Sequence, residues 1–147
     1  MKKFLFLSLL GFAIACKKDT PIPTNNEPGV AQKIKKVWVA NQVTEGGTVV
    51  FSKSSSNNLK AGYSQFKLDL ANTSAASLTE FDGNSFKGQY ELNNDKTLIL
   101  KDLSPMPTGN NGSIEFTITE VSGSILKLSR VTTSAKTGGQ AVSYILE

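Results

Sequence analysis

The chain contains no histidine, and it has one cysteine, one tryptophan and one arginine among its 147 residues. Without histidine, Ser/His and Cys/His nucleophilic catalysis is excluded, as are His-ligated zinc and haem. A lone cysteine, Cys16, can close no disulfide within the chain and can hold no iron–sulfur cluster. The lysines are scattered rather than gathered into a basic stripe, so no nucleic-acid partner is expected. Long apolar runs are also missing. The longest, from Phe4 to Ala15, holds about a dozen residues, or roughly 18 Å of helix. That falls short of the roughly 30 Å hydrocarbon core of a bilayer.

What the N-terminus does contain is informative. Met1-Lys2-Lys3 followed by that uncharged run has the n-region and h-region of a secretory signal. It closes on Ala13-Ile14-Ala15-Cys16, which resembles the bacterial lipobox, although leucine is preferred where Ala13 stands. The resemblance implies cleavage before Cys16 and acylation of its thiol. An ordinary signal peptide followed by an unmodified cysteine is the alternative. Two or three acyl chains, at about 0.8 kcal/mol per buried methylene, make a stable anchor where one chain would not. Lys17 follows the cysteine in place of the aspartate that retains lipoproteins in the inner membrane. Outer-membrane, lipid-anchored localisation is therefore expected, in either leaflet. Removing Lys2 and Lys3 from the 16 basic residues leaves 14 against 12 acidic ones.

Residues 1–15 are thus read as signal peptide and residues 16–29 as lipidated cysteine and tether. The stretch from Asp19 to Gly29 (DTPIPTNNEPG) is rich in Pro, Asn and Thr without apolar periodicity. Residues 30–147 are read as one monomeric domain, opening with a helical turn or two between Val30 and Lys36. Short β-type runs separated by turn chemistry follow: Val37–Thr44, Thr48–Lys53, Tyr63–Leu70, Ser77–Phe81, Ser85–Leu92, Thr97–Lys101, Ile114–Thr119, Leu126–Arg130 and Val142–Leu146. Asp82-Gly83-Asn84 is among the strongest hairpin signals of the chain. Alternation is cleanest where Phe86, Tyr90 and Leu92 oppose Lys87, Gln89 and Glu91, and where Phe116 and Ile118 oppose Glu115 and Thr117. Hairpin-length loops predict an all-β, antiparallel up-and-down meander of about eight or nine short strands. It has to cover its apolar face without helices, as a small barrel or half-barrel, with a β-sandwich as the alternative.

At Lys35-Lys36-Val37-Trp38 the chain resembles the lipocalin-like lipoproteins of Bacteroidota, with a lone tryptophan opening the first strand after a short helical turn. The runs Gln89-Tyr90-Glu91-Leu92, Thr97-Leu98-Ile99-Leu100 and Leu126-Lys127-Leu128 are similar to that family's strands. The resemblance implies a non-catalytic binding protein with no cofactor. It also implies an arginine from a late strand over the indole, a role for which Arg130 is the sole arginine; Lys36 stands where classical lipocalins have glycine.

The inward parity supplies candidate ligand-binding residues: Trp38, Phe66, Phe86, Gly88, Tyr90, Phe116, Arg130 and Tyr144. They would take a small apolar or amphipathic ligand, with the tyrosines as polar handles and Gly88 either leaving room or kinking its strand. The bland reading is that these side chains simply fill a small barrel. An anchored module docking through its surface on an outer-membrane complex or glycan is then the alternative, and the loop Ser104–Gly112 is its best contact. Asp82 with Asn84, and Asn93 with Asp95, have too few oxygens for calcium and are explained as turns, so no metal site is expected. Glu91 and Glu115 fall on the outward parity, so no paired acid/base site is expected either.

Overall fold

The structure is a computed structural model and describes residues 28–147. The expected signal segment, Cys16 and most of the tether lie outside the described residues.

A single turn of helix, α1 (Val30–Lys33), leads into nine strands: β1 (Val37–Glu45), β2 (Thr48–Ser52), β3 (Lys67–Asp69), β4 (Ala75–Thr79), β5 (Ser85–Asn93), β6 (Thr97–Ser104), β7 (Ile114–Val121), β8 (Leu126–Arg130) and β9 (Val142–Leu146). All pairings are antiparallel, and from β3 to β9 each strand pairs with the next. β9 returns to pair with β1, matching Val43 with Tyr144 and Glu45 with Val142. The sheet therefore closes. β1 is long enough to serve two partners on its other edge: β3 beside Val37–Val39 and β2 beside Gln42–Glu45. Eight strands make the ring and β2 extends it. This is the expected small lipocalin-like barrel, and the β1–β9 ladder excludes the sandwich.

Curvature comes from irregular register. Pairing shifts between Ala40 and Gln42, between Lys87 and Gln89, and between Ile118 and Glu120, each a bulge that bends its strand. Gly88 sits in one of them. A Cβ there would lie 2.4 Å from the Lys101 carbonyl oxygen and 2.9 Å from that of Asp102. Its glycine is required by close approach of β6, so it kinks the strand rather than leaving room inside.

Inside the ring, Leu68, Leu78, Leu98, Leu100, Phe116 and Leu126 are fully buried. The end holding the start of β1 is its base, closed by α1. There Trp38 is buried, and its indole Nε1 donates to the Ile34 carbonyl at 2.9 Å. The opposite end is the mouth, where β1, β4 and β8 finish and β5, β7 and β9 begin.

One expected strand is different. The run from Tyr63 becomes a short 3-10 helix, Ala61–Gln65, and only Lys67–Asp69 pairs as a strand. Tyr63 is drawn inward by partners at the mouth instead of alternating along a sheet.

Candidate functional site

The mouth is built where apolar alternation ends in charge. On β1, Val43 and Glu45 both face inward; on β4, Ala76 and Leu78 are followed by Glu80 with the same parity. Both carboxylates are buried, each 4% exposed. Glu45 accepts the Tyr63 hydroxyl at 2.6 Å on Oε1 and the Lys60 ammonium at 2.6 Å on Oε2. Glu80 accepts Arg130 Nη1 at 2.9 Å on Oε1, and its Oε2 forms an ion pair with Lys136 Nζ at 2.5 Å. Lys136 also reaches Asp82 at 2.7 Å. Arg130 donates from Nε to the Thr132 carbonyl at 2.9 Å. Asn110, from the β6–β7 loop, turns its amide oxygen to Arg130 Nη2 at 3.2 Å.

Aromatic rings fill the space between these charges. Phe66 stacks on Tyr144 with centroids 4.8 Å apart, and Phe116 meets the same ring edge-on at 6.0 Å. Tyr63 packs on Phe81 of the β4–β5 loop at 4.8 Å. Tyr63 thus spans from the β4–β5 loop to Glu45 on β1.

The electrostatics follow from burial and pairing. Burial pushes the Tyr144 hydroxyl up to about 12, although the neighbouring Arg130 charge pulls the other way. Burial also raises Tyr63, reinforced by Tyr144 and by its bond to Glu45. For Arg130 and Lys136 burial disfavours the charge. The groups around them outweigh it and hold both above their ordinary values: Tyr144 and Glu80 for Arg130, Asp82 and Glu80 for Lys136. Partial burial works to raise Asp82, but hydrogen bonds from Lys136 and Asn84 leave it lowered.

Of the residues singled out from the sequence, Phe66, Phe116, Tyr144 and Arg130 meet at the mouth. Phe86 lies beside them, with Lys136 Nζ 5.4 Å from its ring centroid. Trp38 is at the base. Tyr90 is towards the base too, where its backbone N–H donates to Ser74 and its side chain lines a hollow of about 270 Å³ with Ala31, Lys35 and Leu92. Gly88 lies at the bulge.

The expected pairing of Arg130 with Trp38 is not formed. β1 and β8 run in the same direction, so the end of β8 and the start of β1 are at opposite ends of the barrel. Arg130 is bound to Glu80, and the cation over the indole is Lys36, 4.0 Å from the ring centroid and bonded through Nζ to the Gly123 carbonyl at 2.9 Å. Sequence reasoning also missed Glu45, Lys60, Tyr63, Glu80 and Lys136. The signal for two of them was parity: Glu45 continues from Val43, and Glu80 from Ala76 and Leu78.

No family model matches the chain, and no curated protein matches it. Among solved structures, a lipocalin-like protein from Bacteroides uniformis is similar at 16% identity with a TM-score of 0.49, over 78% of this chain and 97% of that one. An uncharacterized protein from Bacteroides eggerthii is similar at 14% identity with a TM-score of 0.46, over 76% and 95%. The barrel assignment rests on this chain's own hydrogen bonding.

Tyr63 and Phe66 are buried, and hollows of about 260 and 230 Å³ lie beside Ala76, Lys87 and Gly88 and beside Gln42, Lys127 and Ser143. The mouth offers ion-pairing groups, hydroxyls and flat apolar rings within one enclosed region. Apolar walls with a few fixed polar groups are the mix that small-molecule sites use.

Proposed function

We propose that the chain is an outer-membrane lipoprotein, anchored through Cys16, whose barrel binds a small amphipathic molecule at its mouth without catalysing a reaction on it. The observation that carries this reading is the pair of buried carboxylates at the mouth, Glu45 held by Lys60 and the Tyr63 hydroxyl and Glu80 held by Arg130 and Lys136. Burying an ion costs several kcal/mol even after relaxation, and a buried ion pair replaced by apolar residues of like volume is often as stable or more so. A barrel that needed only to be solid would be served by leucines there. Ion-pairing groups beside stacked rings instead supply the mix of apolar wall and fixed polar handles that small-molecule sites use.

A thermal-denaturation series on the full chain tests this, using single-chain amphiphiles with anionic, zwitterionic and neutral heads. A ligand at a hundred times its Kd adds about 2.7 kcal/mol to stability, which raises the Tm by several degrees. An unchanged Tm across the series contradicts the reading.

A second reading is favoured by a separate observation. Leu59 and Met106, on loops at the mouth, and Val131, just beyond β8, are 73%, 68% and 52% exposed. A filled barrel presenting these to a protein partner would be an interaction module, and it would show no Tm response to amphiphiles.

A further inference from the structure

We propose that the strap joining β2 to β3 occupies the ligand's own place, and that the ligand is a planar ring carrying a hydrogen-bond donor; this rests on the mouth being the binding site. Tyr63 belongs to this strap and not to the barrel wall, yet it is 1% exposed. Its ring lies among Phe51, Phe81 and Tyr144, at centroid distances of 6.3, 4.8 and 6.3 Å. Its hydroxyl donates to one oxygen of Glu45, and strap residue Lys60 donates to the other. Both side-chain donors to this buried carboxylate therefore come from the strap. When the strap lifts, Glu45 is left as an unsatisfied acceptor at the end of a slot walled by rings. A group entering that slot has to be flat to stack and must bring a donor, because an unpaired buried acceptor is strongly disfavoured. Tyr63 is a copy of such a ligand within the chain.

Two backbone bonds tie the strap to the strands, Lys53 N–H to Asn41 and Lys60 N–H to Val50, and the Asn58 side chain bonds the Ser52 N–H and carbonyl. The strap also seats through a glycine. At Gly62 a Cβ would stand 2.3 Å from the Phe81 carbonyl oxygen, a backbone atom that cannot swing away. Gly62→Ala therefore prevents seating. A seated strap lowers apparent affinity by the fraction of time the slot is vacant, and unseating it restores the intrinsic value.

The test is calorimetric titration of the full chain and its Gly62→Ala variant with three probes: p-cresol, 4-methylanisole (the same ring without the donor) and decanoate. The inference expects p-cresol to bind the variant about tenfold tighter than the original chain, and to bind either one about tenfold tighter than 4-methylanisole does. Glu45→Gln should narrow the gap between the two aromatic probes. If Gly62→Ala proves unfolded by circular dichroism, Tyr63→Ala vacates the slot without a backbone clash and carries the same expectation. Equal binding of the two aromatic probes, or an affinity indifferent to both strap variants, overturns the inference. Binding of decanoate alone overturns it while leaving the mouth as a binding site. No binding of any probe to any variant removes both.

Discussion

Lys36 and Arg130 exchange the parts that their positions suggest. Lys36 precedes the first strand by one residue and folds back over the indole, while Arg130 is held at the far end by Glu80. A double-mutant cycle of Lys36 with Trp38 in urea denaturation is expected to give about 0.5–1 kcal/mol of coupling, and the cycle of Arg130 with Trp38 none. The reverse result would return Arg130 to the base. The tyrosines make a second residue-scale prediction. The three in the chain, Tyr63, Tyr90 and Tyr144, are all raised above 10.0 by burial. A group whose folded pKa is raised contributes stability that is fully present below its unfolded value. For Tyr144 that contribution is lost as pH climbs from 10 to about 12. Phenolate absorbance of the native protein should therefore begin to rise only above pH 10, together with alkaline loss of stability. A tyrosine titrating reversibly near 10 in the folded protein would contradict this.

At the scale of elements, the strands were legible because they alternate. Phe86, Tyr90 and Leu92 on β5, and Phe116 and Ile118 on β7, face inward as their spacing predicts, since one face of each strand meets the core. The closure of the ring was not written in any strand. It depends on β1 finding β9 across nearly the whole domain. The strap was misread for a related reason. Phe66 and Leu68 alternate as in a strand, but Tyr63 falls on the opposite parity, and it is the 3-10 turn that carries it inward, where its hydroxyl meets Glu45, distant in sequence. Glu45 and Glu80 were passed over because charge at a strand end reads as exit to solvent. In a closed barrel the last inward residue instead lines the mouth. Gly88 belongs to this scale too, since its backbone is what lets β5 and β6 approach at the bulge. Gly88→Ala should cost about 1–3 kcal/mol through forced backbone movement, lowering the urea midpoint. A neutral substitution would mean the bulge opens freely.

Across the whole molecule, base and mouth divide the work. The base is sealed by α1, Trp38 and Lys36, and α1 is the first described element of the chain. The mouth gathers the buried ions, the stacked rings and the strap at the end remote from α1. An anchored barrel of this layout would present its mouth away from the lipid surface, with the strap as the part that moves. The buried Tyr63 and the strap that carries it belong to one account, in which the chain supplies its own substitute for the ligand.

The measurement that bears most directly on ligand binding at the mouth is native mass spectrometry, with organic extraction, of the full chain purified from the cells that make it. The account predicts a discrete small amphipathic mass that co-purifies with the protein and is absent from a Glu45→Gln preparation. A clean unliganded mass that stays unchanged after incubation with envelope extract would contradict it.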